Sequence, residues 1–224
     1  MLTGGLLNHW ENIPFILVVL LIAFACHEFA HAYAADKFGD PTPRSMGRVT
    51  LNPMVHLDLF GTILILLVGF GWAKPVLVNP NYFKKPRLMG IVVSVVGPLA
   101  NLILAFIGVM LFFGFGALGL YDGLPAWGAD AISVFYQALI HFNLLLFLFN
   151  LLPLPPLDGY RILNYFLPMR ARLALQGVEQ WFIFIFMILV FFPVLNNNTL
   201  GRVFSLIDPI WDGMASFART VYGL

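Results

Sequence analysis

His27, Glu28 and His31 stand in the order His-Glu-x-x-His within the run FACHEFAHAYAAD. On a helix, positions four apart differ by only about 40° around the axis, so both imidazoles can reach one ion. Glu28 lies three residues before His31, near the same face, where a carboxylate can serve as general base toward a water. Catalytic zinc takes three protein ligands and leaves a further position for water, so this pair needs a third donor. Asp158, in NLLPLPPLDGYR, is the best candidate. The prolines and glycine around it stop a regular helix and free its carboxylate to point inward. An alternative reading makes Asp158 the N-cap of a helix starting at Gly159. Asp36 and Asp58 are weaker candidates because they lie in evident loop, and His56 is a competing ligand. Cys26 points about 100° away from His27 on a helix and reads as a packing residue. No chemical role is assigned to His9, near the terminus, or to His141, within an apolar run.

The elements that must position these groups are unusually apolar. Of 224 residues, 60% are hydrophobic and 10% charged, and the mean hydropathy is +0.88. Soluble domains carry about 25% charged residues, so the chain lacks the polar skin that water requires and the bilayer must be part of its solvent. An ionisable group inside a span costs about 3 kcal/mol unless it is paired or coordinated, which favours a metal reading of the motif. The net charge of +1 and the scattered basic residues exclude a nucleic-acid footprint. A single cysteine excludes an intramolecular disulfide framework. The N-terminal stretch lacks the basic start of a cleavable signal peptide, so the first apolar run reads as a retained span.

That first span covers roughly residues 13–35, and polar loop follows over 36–58. The apolar stretch 59–70 is too short to cross as a helix. Residues 61–78, GTILILLVGFGWAKPVLV, are rich in β-branched residues and read as a re-entrant hairpin or a pair of short strands. Further spans are expected over 88–116, 131–152 and 178–195, with 200–217 either a fifth span or an interfacial helix. The expected fold is therefore an all-α polytopic membrane protein of four to five transmembrane helices with a short re-entrant β-like hairpin, forming one domain over 1–224. Seven Lys or Arg residues follow the first span and three follow the third, so one side holds ten of twelve. This places that side in the cytoplasm and the N-terminus outside.

These motifs together resemble the site-2 protease family of intramembrane zinc metalloproteases. HEFAH fits that family's His-Glu-x-x-His. GRVTLNPMVHLDLFGT, residues 47–62, resembles the stretch that follows in short bacterial members, GPLAN (97–101) fits a Gly-x-x-x-Asn element, and NLLPLPPLDG (150–159) fits an Asn…Pro…Leu-Asp-Gly element. The resemblance covers roughly residues 20–165 and is to the minimal form, without PDZ or CBS segments. It implies that His27, His31 and Asp158 ligate one zinc ion, and that Glu28 is the base and then the proton donor to the leaving amine. Asn150 would contact the scissile carbonyl or its oxyanion. Gly97 and Asn101 would position the substrate or pack near the site, and the segment Gly61 to Val78 would bind an unwound substrate strand by edge pairing. His56 belongs to an Asn-Pro-x-x-His element for which the resemblance supplies no role. The expected activity is zinc-dependent cleavage of membrane-spanning substrate helices near the cytoplasmic side, in a bacterial or archaeal cell membrane. A transporter, or a zinc-binding protein without catalysis, is the alternative. The first would use the ionisable groups as an ion path; the second would have no need of Glu28.

Overall fold

The computed structural model of the chain describes residues 10–61, 64, 71–191 and 200–224. A 3₁₀ turn, Trp10–Asn12, leads into α1 (Ile13–Lys37). The helices that follow are α2 (Thr42–Ser45), α3 (Pro86–Ala117), α4 (Ala126–Asn150), α5 (Asp158–Phe166), α6 (Met169–Phe191), α7 (Leu200–Phe204) and α8 (Ile207–Tyr222). The described residues are thus helical, without a strand. Among them, three helices are long and apolar enough to cross a membrane: α1 with its leading turn, α3 and α4. At 1.5 Å per residue, 25 residues reach about 37 Å, more than the hydrocarbon thickness. The chain is an integral membrane protein.

Each boundary has a local cause. Pro86 opens α3 at a position whose N–H needs no helical partner. Pro98, inside α3, withholds an amide from the preceding turn and sits between Gly97 and the polar Asn101. α4 ends at Asn150, where the proline-rich turn begins. The expected fourth span coincides with α6 as far as Phe191, and residues 192–195 lie outside the described residues. The expected fifth element resolves into α7 and α8. With 16 residues, α8 is about 24 Å long, short of the membrane's hydrocarbon thickness, and its Ile207, Ala215 and Ala218 are buried. Of the hairpin expected over 61–78, residues 62, 63 and 65–70 lie outside the described residues, and 71–79 have no regular secondary structure.

The bundle is built on α1, α3 and α4, which pack on one another, with α5 against α3 and α8 against α3 and α4. Ile16, Val19 and Leu20 of α1 pack on Ala138, Leu139 and Phe142 of α4. Ala105 and Val109 of α3 meet Ile140 and Leu144 of α4 with Leu200 and Phe204 of α7. A Cβ on Gly108 would come within 3.1 Å of Leu139 and Ile140 side chains, so a small residue sets the α3–α4 approach. On the far face of α3, Leu99, Ile103, Ile107 and Leu111 are exposed at helical spacing. This stripe suits lipid and would be a liability in water.

Candidate metal centre

His27, Glu28 and His31 sit in the C-terminal half of α1 and are buried. His31 lies six residues before the last residue of α1, about 9 Å along the axis, so the group is below the helix end yet within reach of it. Asp158 arrives from the proline-rich turn after α4. α5 begins at Asp158 itself, Leu157 takes the cap position, and no side chain caps the helix. Thus the carboxylate is not spent as an N-cap. Gly159 makes this entry possible: a Cβ there would lie 2.3 Å from the Leu151 carbonyl oxygen, so α5 starts hard against the end of α4.

Three atoms converge. His31 Nε2 lies 3.1 Å from His27 Nε2 and 3.0 Å from Asp158 Oδ2, and His27 Nε2 lies 3.1 Å from the same oxygen. Each imidazole is oriented from behind. His27 Nδ1 is 2.7 Å from Asn101 Oδ1, and His31 Nδ1 is 2.6 Å from the Val93 carbonyl oxygen. Asn101 Nδ2 donates to the Ala23 carbonyl and to Asn143 Oδ1, which leaves its Oδ1 as acceptor. Both Nδ1 atoms therefore donate, and both Nε2 atoms present lone pairs toward a carboxylate oxygen. Three acceptors about 3 Å apart with no proton among them repel unless a cation sits between them. Their chemistry, two neutral imidazoles and one carboxylate, is an ordinary donor set for catalytic zinc, whose tetrahedral ligands stand roughly 3.3 Å apart. His27, His31 and Asp158 form a site for one metal ion.

Gly97 and Asn101 stand behind this centre. A Cβ on Gly97 would fall 2.2 Å from His31 Nε2 and 2.9 Å from His27 Cε1, so only glycine lets α3 approach the imidazoles. Asn101 is fully buried, with its side chain committed to His27, Ala23 and Asn143. Neither residue is among those lining the cavity; both pack directly behind the metal ligands. Partners behind a ligating histidine typically contribute 10–100-fold in metal affinity. Asn101→Ala should accordingly weaken zinc binding by roughly 10- to 100-fold in a competition titration against a chelator, while Asn101→Gln, with its longer reach, should not restore it.

In front of the centre lies a cavity of about 220 Å³ lined by His27, Glu28, His31, Asn150 and Asp158 and by Trp72, Ala73 and Pro75. Glu28 Oε2 accepts the Val76 N–H at 2.8 Å, which fixes the carboxylate at the cavity wall. Asn150 is half-buried and donates from Nδ2 to the Leu146 carbonyl. Arg161 is at the rim, its Nη1 3.6 Å from Asp158 Oδ1.

The competing ligand candidates are elsewhere. Asp36 pairs with Arg44 at 2.6 Å, Asp58 accepts the Gly61 N–H, and His56 is buried with Nε2 on the Thr50 carbonyl. Cys26 is half-buried and outside the donor group. His141 stacks edge-on against Phe142, and His9 lies outside the described residues. Sequence reasoning missed Asn143, although an asparagine in mid-span is itself a signal because its amide needs a partner in lipid. It also missed Val93 and Val76, which act through backbone groups and leave no side-chain signature.

The model for peptidase family M50 matches residues 15–124 and 115–193. Three similar proteins are each named "Putative zinc metalloprotease". YwhC of Bacillus subtilis is 47% identical over 204 residues, which is 87% of this chain and 92% of the relative. Rip2 of Mycolicibacterium smegmatis is 32% identical over 219 residues, 93% of this chain and 79% of the relative. MJ0611 of Methanocaldococcus jannaschii is 30% identical over 158 residues, 67% of this chain and 71% of the relative. No solved structure matches the chain. With a family match over most of its length and a three-donor metal group at the buried His-Glu-x-x-His, the chain belongs to peptidase family M50 and is a zinc metalloprotease.

Proposed function

We propose that the chain is an intramembrane endopeptidase that hydrolyses membrane-spanning helices of other proteins near their cytoplasmic ends, as in regulated intramembrane proteolysis. The observation that carries this reading is the convergence of Asp158 on His27 and His31, with Glu28 on the same cavity, where His27, Glu28 and His31 lie inside a helix long and apolar enough to span. When bound, zinc lowers the pKa of a water toward neutrality and polarises a carbonyl. Glu28, held by Val76, takes the proton of the attacking water and later delivers it to the leaving amine. Asn150 turns its amide from Leu146 to the developing oxyanion. Asn150→Ala should lower kcat by roughly 100-fold with zinc content unchanged, read by steady-state cleavage beside metal analysis.

In this reading the whole chain, residues 1–224, acts as one domain in a bacterial or archaeal cell membrane. The N-terminus is outside and the polar turns after α1 and α4 are cytoplasmic, as the Lys and Arg placement suggests. α6 adds a fourth span, and Trp72, Ala73 and Pro75, in the described part of the expected re-entrant segment, line the cavity where an unwound substrate strand would lie. A substrate helix satisfies its own peptide groups, so it must unwind before attack. The test is the purified protein in liposomes with a single-span substrate, its fragments mapped by mass. Cleavage within the apolar span near its cytoplasmic end is expected, faster when Gly or Pro flanks the cut. Cleavage confined to soluble loops, with intact spans, would overturn the reading.

A further inference from the structure

The His56 element is absorbed neither by the metal centre nor by the cavity, yet it is among the most buried polar parts of the molecule. His56 is fully buried and Arg48 is only 3% exposed. Both face the segment 71–79 that holds Glu28. Arg48 Nη1 donates to the Val55 carbonyl and, at 3.4 Å, to the Lys74 carbonyl. The Lys74 N–H donates to the His56 carbonyl at 2.8 Å, and the His56 ring donates from Nε2 to the Thr50 carbonyl at 2.9 Å. Five residues on, the Asn79 N–H donates to Asp40 Oδ2 at 2.7 Å. Between these two fixed points lies Val76, 3% exposed, whose N–H holds Glu28. Burying a guanidinium costs heavily unless its donors are used, and here they close a turn across 26 residues of sequence.

We propose that Arg48, with His56 locking the turn beneath it, is a positioning residue: it fixes Lys74 so that the Val76 amide holds the Glu28 carboxylate in register with the metal centre. This rests on the proposed role of Glu28. Arg48 touches neither substrate nor metal ligand and acts through the backbone of 74–76. Both carbonyls are served by the one nitrogen Nη1; a lysine ammonium has donors enough for two acceptors but lacks the guanidinium's longer reach and fixed plane.

The test uses the full-length protein in detergent with zinc, and four variants: Arg48→Gln, Arg48→Lys, Val76→Pro, which deletes the amide, and the double variant Arg48→Gln/Val76→Pro. Arg48→Gln should keep wild-type zinc content and exchange the Lys74 and Val76 amides about tenfold faster by hydrogen-exchange mass spectrometry. Its kcat should fall about tenfold with KM within about twofold. Arg48→Lys should recover part of both changes. The double variant should be no slower than Val76→Pro alone, because both changes remove the same constraint. Wild-type exchange, wild-type kcat, or rate losses that multiply in the double variant would each overturn the proposal. Should Arg48→Gln lose zinc through misfolding, Arg48→Lys carries the same readouts. A Glu28→Gln control that still cleaves would strike the role of Glu28, whereas the exchange arm would still decide whether Arg48 anchors the segment.

Discussion

Purified Glu28→Gln protein should bind one zinc ion per chain and cleave a membrane-helix substrate at least about 1,000-fold more slowly than wild type. Two observations set this expectation. Glu28 is not among the three converging donor atoms, so its loss leaves the ion's ligands intact. Glutamine is isosteric and can still accept the Val76 N–H through its amide oxygen, so the wall of the cavity keeps its shape. What disappears is, among the described residues, the only carboxylate lining the cavity besides Asp158, and Asp158 Oδ2 already faces both imidazoles. Metal analysis beside single-turnover cleavage separates the outcomes. Full zinc with unchanged cleavage would remove Glu28 from the chemistry, and loss of zinc would make it a ligand.

Asp158→Asn should have the opposite profile: intact fold, lost metal. The carboxylate oxygen stands 3.0 Å from His31 Nε2 and 3.1 Å from His27 Nε2. Replacing it by an amide removes the one anionic donor and leaves two imidazoles, which hold zinc weakly. Zinc affinity should fall by well over about 100-fold, more than for loss of a supporting partner such as Asn101. Without metal the same change relieves repulsion, because an asparagine N–H can donate to an imidazole lone pair. The metal-free variant should therefore unfold at or above the temperature of metal-free wild type. Added zinc should raise the wild-type transition and leave the variant's unmoved, since only binding to the folded form stabilises it. A thermal melt with and without zinc checks both halves. An Asp158→Asn protein that retains stoichiometric zinc would remove Asp158 from the ligand set.

The chemistry at this centre is local, and therefore legible from the chain. His27, Glu28 and His31 share a helix face because of the helical period alone, and a run of apolar residues around three ionisable groups already demands a metal or a partner. The Leu-Asp-Gly after α4 likewise marks Asp158, since proline and glycine announce the turn that releases it. The membrane environment follows from composition, and the spans of α1, α3 and α4 from hydropathy and length. What folding in three dimensions decided is everything carried by close approach and by backbone groups. Gly97 is glycine because two imidazoles occupy the space of its Cβ. Asn101 serves a histidine 74 residues earlier, and Asn143 serves Asn101 in turn. Val93 and Val76 act through a carbonyl and an amide, which every residue but proline possesses and no sequence pattern distinguishes. Arg48 and His56 read as loop because their polarity resembles that of solvent-facing residues; only the packed turn shows them buried. The division has a physical reason. Side-chain chemistry and helical period belong to neighbouring residues, whereas the distance between remote helices is set by the whole packed bundle.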